Sequence, residues 1–179
     1  MIRFATTVFL SAFLLFQIQP IIAKMILPWF GGASSVWSVC LVFFQAELLL
    51  GYLYVHLLHE SLSPRRQNLL HAALLVLSLA TLPVVANPTW AATLESPTWG
   101  VLVVLAAAVG MPYLLLSTTG PLMQAWYARS FATVMPYRLY ALSNLASMLA
   151  LLSYPVLVEP YFPVRDQALG WSAAYVVFV

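Results

Sequence analysis

Charge is what this sequence has least of. Only 7% of its 179 residues are charged, seven basic and five acidic, against about 25% in ordinary soluble domains. A chain so poor in charge and 63% hydrophobic cannot solvate its own surface, so lipid must be the solvent for most of it. Cysteine is nearly absent too. The single Cys40 excludes an internal disulfide and any all-cysteine metal site. A formal charge of +2 is too small to point to nucleic acid, and no block of like charges exists. There is no Gly-x-Gly-x-x-Gly loop after a strand, no Walker loop, no His-Glu-x-x-His and no Gly-x-Ser-x-Gly. With no soluble domain in view, most reaction classes have nowhere to sit. The sequence therefore predicts a non-enzyme without cofactor or metal.

What is present is a series of long apolar runs. The spacing predicts an all-α, polytopic transmembrane bundle of about five full spans plus a partial sixth, read as one domain over 1–179. The spans cover about 4–27, 34–58, 68–86, 99–127 and 137–158, with an incomplete one over 168–179. The N-terminal "MIRFATTVFLSAFLLFQ" begins like a signal peptide. Its apolar stretch continues past residue 22 with no small-x-small cleavage site, so it reads as a retained first span. The last segment, "ALGWSAAYVVFV", rises only about 18 Å as a helix, so the chain is expected to stop inside an element.

Basic residues set the expected orientation. With the N-terminus in the cytoplasm, Arg3, Arg65, Arg66, Arg129 and Arg138 fall inside, and only Lys24 and Arg165 fall outside. Glu95, Glu159 and Asp166 then lie outside, and Trp29, Trp37, Trp90 and Trp99 cluster at the outer interface. The expected placement is a membrane crossed several times.

The polar residues inside the spans are the candidates for function. In "FQIQPIIAKMILPWFGG", Gln17 and Lys24 are seven apart and share a helical face, whereas Gln19 points about 200° away from Gln17. Pro20 removes one backbone bond and is expected to kink the helix. Counting depth about a hairpin at residues 30–31 puts Gln17 level with Gln45, and Lys24 about 15 Å from Glu47 along the membrane normal. A Lys24–Glu47 ion pair is therefore not expected, and Lys24 reads as an interfacial residue. Glu47, with Gln17 or Gln45, forms the candidate site for a small cation, because an intramembrane carboxylate is costly unless it serves a purpose. The competing reading pairs Gln17 with Gln45 as a packing device.

Further along, His56, His59 and His71 meet near the inner face, where interfacial histidines are the simpler reading and a haem or metal site the rarer one. Gly120 and Pro121 are expected to break the fourth span. The break either lines a cavity or has its freed carbonyls met by Ser117, Thr118 and Thr119. Ser143/Ser147 and Ala146/Ala150, at four-residue spacing, read as small-residue packing stripes with Asn144 as an interhelical hydrogen bonder.

Four of these segments, "FQIQPIIAKMILPWFGGASSVW", "FFQAELLLGYLYVH", "STTGPLMQAWYAR" and "PYRLYALSNLASMLALLSYPVLVEP", together resemble the membrane half of bacterial fused proteins. Those proteins join a major-facilitator-like transmembrane region to a spermidine-synthase-like domain. The resemblance runs from about residue 8 to residue 175 and implies a transporter-like fold in the inner membrane. The aminopropyltransferase-like Rossmann domain of that family has no counterpart here, since the glycine-rich loop and the acidic pair for a polyamine are missing. No synthase activity is implied.

Three functions follow as expectations. The first is a transporter-like domain binding a small cationic solute at Glu47, Gln17 and Gln45. The second is a non-catalytic accessory subunit, with partners among lipid, other membrane subunits or a missing C-terminal domain. The third is a histidine-ligated redox subunit.

Overall fold

The computed structural model describes residues 2–32, 34–91, 96–130 and 137–179. Every regular element among the described residues is a helix, and none is a strand. Helix α1 spans Ile2–Ile26 and tightens into a 3-10 turn at Leu27–Trp29, where Pro28 cannot continue the α-helical ladder. Gly31 and Gly32 follow with φ of 84° and 64°, a left-handed pair that reverses the chain at little steric cost. Helix α2 then runs from Ser34 to Ser61.

Helix α3 occupies Pro64–Ser78, with proline in its first turn, where a missing N–H costs nothing. Its 15 residues rise about 22 Å, short of a hydrocarbon core of about 30 Å. The third span expected over 68–86 thus starts earlier and loses its helix after a 3-10 turn at Leu79–Thr81. Leu82 precedes a proline and is extended, as that position demands. The non-helical stretch that follows is still used in packing, because Val84 and Ala86 are buried. The Val84 N–H donates to Ser172 Oγ at 2.9 Å.

Helix α4 (Pro97–Leu105) passes through a π turn at Ala106–Gly110 directly into α5 (Met111–Ser130). Helix α6 (Tyr137–Ser153) ends in a second π turn, Tyr154–Val158, and α7 covers Val164–Phe178. Each π turn lies beside or around a proline, Pro112 or Pro155. The widened turn accommodates a ring that has no N–H to give the ladder. Glu95 lies outside the described residues.

Four helical stretches are long and apolar enough to cross a membrane: Ile2–Trp29, Ser34–Ser61, Pro97–Ser130 and Tyr137–Val158. Large aliphatic side chains stand exposed along α2 (Leu49, Leu53, Leu57) and along α6 and its π turn (Leu152, Val156, Leu157). Such surfaces fit a membrane protein, in which lipid covers them.

Helix α1 is the centre of the bundle and packs against α5, α6 and α7. Helix α2 packs instead against α5 and α4, and α3 against α5. Although α1 and α2 are neighbours in sequence, they touch only sparsely, since α5 lies against both. The core gathers Ile18, Ile22 and Ile26 of α1 with Val104, Leu105, Val109 and Tyr113. Contacts also fix which helix ends meet. Phe4 and Tyr127 rings lie 5.6 Å apart at one end, and Lys24 meets Glu159 at the other.

Candidate functional site

The polar residues of α1 go to three different places. Gln17 is buried, and its Oε1 has no hydrogen-bond partner among the described residues. Gln45 on α2 is exposed, so equal depth along the hairpin does not bring the two together. The reason is azimuth, because α2 turns its buried face to α5 and α4 rather than to α1. Gln19 reaches α5 and donates from Nε2 to the Tyr113 hydroxyl at 2.9 Å. Lys24 is paired with Glu159 at 2.6 Å, each side chain about 40% exposed, so its charge is met by protein rather than by headgroups alone. The helix runs unbroken through Pro20.

The expected break at Gly120 and Pro121 is absent: α5 continues through both to Ser130. The hydroxyls of Ser117, Thr118 and Thr119 donate to carbonyls one turn earlier, at Leu114 (2.7 Å) and Leu115 (2.7 and 2.8 Å). They do not reach the carbonyl of residue 117, which Pro121 deprives of its usual donor. What the sequence marked as a break is a helix whose polar side chains fold back on its own backbone.

This stretch nevertheless lines a cavity. Between α1, α2, α5 and α6 lies a cleft of about 700 Å³. Its polar wall is made by Ser11, Ser117, Gln124, Ser143, Asn144 and Ser147, with Gly120 and Pro121 beside them. Phe16, Tyr52 and Tyr140 contribute aromatic rings, and no charged side chain among the described residues lines it. Gly120 has open space where a Cβ would stand, which leaves the cleft wide at that level. Ser143 and Ser147 therefore face the cleft, with Ser147 Oγ donating to the Ser143 carbonyl at 2.9 Å. Ala146 and Ala150, one position round the helix, are fully buried on the side where α6 packs against α1.

Glu47 belongs to a second cavity of about 330 Å³, which shares no lining residue with the first. Its walls are Tyr54 of α2, Leu74 of α3, Ala106 and Gly110 of the π turn, and Met111, Leu114, Leu115 and Thr118 of α5. A Cβ on Gly110 would sit 3.8 Å from Glu47 Oε1, so the glycine lets the carboxylate lie close to the π turn. Neither Gln17 nor Gln45 lines this cavity.

The end carrying most of the basic residues is tied together by a residue the sequence reading passed over. Gln67 is fully buried; its Nε2 donates to the carbonyls of Leu58 (3.2 Å) and Leu62 (2.8 Å), closing the end of α2. Its Oε1 accepts from Trp126 Nε1 at 3.0 Å and from Arg129 at 3.4 Å. The histidines separate. His56 lies 3.5 Å from Glu60 on the surface, His59 meets the Arg129 guanidinium at 2.7 Å, and His71 is buried against Tyr54. No group of three His, Cys, Asp or Glu side chains among the described residues could hold a metal ion.

The fold and its cavities define a helical bundle with the apolar character of a membrane protein. No family model, curated protein or solved structure matches the chain.

Proposed function

We propose that this chain is a transporter-like membrane domain whose solute site is the cleft between α1, α2, α5 and α6. The observation that carries the reading is the cleft itself. At about 700 Å³ it falls within the size range of small-molecule sites, about 300–1,000 Å³. It also concentrates hydroxyl and amide groups in a bundle that is otherwise oily. Because its lining carries no acid, the cleft suits an uncharged, hydrogen-bonding solute that stacks on Phe16, Tyr52 or Tyr140. The cationic solute expected from the sequence rested on Glu47, which lies elsewhere. The proposal includes a multi-pass placement in a bacterial inner membrane, N-terminus in the cytoplasm, and a relation to the membrane half of the fused spermidine-synthase-like proteins. That relation rests on the quoted segments alone. The exposed aliphatic face of α6 supports a second reading, an accessory subunit covered by a protein partner. A hydrated cleft is not required for that role.

Cysteine accessibility separates the two. Cys40 is buried and is the only cysteine, so Cys40→Ala gives a clean background. In inside-out vesicles, Asn144→Cys and Ser147→Cys should react with a membrane-impermeant maleimide, while Leu152→Cys on the exposed aliphatic face should not. Failure of both cleft positions to react would remove the solute site.

A further inference from the structure

We infer that the cavity at Glu47 is a binding site for a small organic ammonium ion, independent of the larger cleft. Three observations meet there. First, the Glu47 carboxylate lies midway along α2, a helix apolar enough to cross a membrane. No hydrogen bond or ion pair from the described residues reaches it. Two of the basic groups at the helix ends are already engaged, Lys24 by Glu159 and Arg129 by Gln67 and His59. An anion in such surroundings needs an outside positive charge.

Second, the far end of the same cavity holds polar atoms with unused capacity. Tyr54 stands seven residues after Glu47, two turns along one face of α2, so the cavity follows the helix for about 10 Å. The Tyr54 hydroxyl is buried and without a partner. Outside the lining, His71 packs its ring 6.1 Å from the Tyr54 ring and backs that wall. The Thr118 hydroxyl donates to Leu115 and keeps its lone pairs free to accept. A buried hydroxyl left without a partner among the described residues, on a cavity wall, points to a ligand that satisfies it.

Third, the remaining walls are apolar: Leu74, Ala106, Met111, Leu114 and Leu115. A hydrated or bare metal ion would want about six or more oxygen ligands, and this lining supplies one carboxylate and two hydroxyls. An alkylammonium fits better. Its N–H groups reach the carboxylate, its hydrocarbon lies on the leucines and Met111, and a volume of about 330 Å³ accommodates a short alkyl chain. The Tyr54 ring adds a face that favours a cation.

The test is equilibrium binding to the purified full chain in lipid nanodiscs, with butylammonium chloride as the probe, and butanol and sodium chloride as its uncharged and inorganic counterparts. Butylammonium should bind saturably at one site per chain and the other two should not compete. Glu47→Gln removes a charge-assisted hydrogen bond, so affinity should fall by about tenfold or more. Tyr54→Phe should weaken binding by a smaller factor. Ala106→Leu leaves Glu47 in place and fills the cavity, so it should abolish binding while the unfolding midpoint is retained. Undiminished binding by Glu47→Gln or Ala106→Leu, competition by butanol, or preferential binding of sodium would each overturn the assignment. Because the assay reads binding without a gradient and at residues outside the cleft, its failure would leave the cleft proposal standing, and the reverse.

Discussion

Replacing Gly51 by alanine should loosen the bundle where α2 crosses α5. A Cβ built on Gly51 would stand 2.1 Å from Ser117 Oγ, 3.2 Å from Ser117 Cβ and 3.4 Å from Thr118 Cγ2. Rotating the serine hydroxyl away relieves only the first of these, and it breaks the 2.7 Å bond to the Leu114 carbonyl. The Cβ contact remains, so the helices must also move apart by a few tenths of an ångström. Overpacking of this kind costs about 1–3 kcal/mol, and the lost hydrogen bond adds about 1 kcal/mol. The assay is thermal or denaturant unfolding of the wild type, Gly51→Ala, Ser117→Gly and the double variant in one detergent. Ser117→Gly removes both close atoms at once. The double variant should therefore recover most of the loss caused by Gly51→Ala, giving a coupling of about 1–3 kcal/mol. If Gly51→Ala is neutral, or the two losses simply add, α2 and α5 do not approach as described.

Two further substitutions test the ends of the bundle. Gln67→Leu strips the side-chain partner from the Leu62 carbonyl and from the Trp126 indole N–H, and leaves the Leu58 carbonyl with only its bond from the Leu62 N–H; it should cost about 2–3 kcal/mol in unfolding free energy and speed proteolysis in the turn between α2 and α3. Lys24→Met should cost no more than about 1 kcal/mol, because an ion pair this exposed is largely screened by solvent. The remaining stability difference between Lys24→Met and wild type should shrink as salt is raised, which unfolding at low and high ionic strength would show.

These contrasts show which part of the fold lies open in the sequence. The apolar runs along α1, α2, the long α4–α5 stretch and α6 announce helices, because nothing but an internally hydrogen-bonded element satisfies the backbone in lipid. Depth along a hairpin is also countable, since helical rise is fixed. Azimuth is not. Gln17 and Gln45 match in height, yet one is buried and the other exposed, because α5 occupies the position that the hairpin argument gave to α2. The Lys24–Glu159 pair joins residues 135 apart, and no local pattern connects them. The failure at α3 has a different cause. Hydropathy alone carried the expected span to residue 86, and the restriction that Pro83 places on Leu82 was readable but was overridden by the oily composition.

The two cavities divide on the same line. Glu47, Gly51 and Tyr54 fall at i, i+4 and i+7, one face of α2, so the sequence already held the geometry that puts a carboxylate, a close-approach glycine and a phenol against a single neighbour. What it did not hold was the neighbour. In the sequence Gly110 is only a small residue near Pro112, and Thr118 a candidate partner for a freed carbonyl. Each acquires a further role only when α5 is laid against α2: Gly110 gives the carboxylate room, and Thr118 lines the same cavity. An intramembrane charge thus directs attention to its surroundings, because its desolvation must be compensated somewhere. The identity of the site is carried by small residues on the facing helix, whose significance lies in the space they leave.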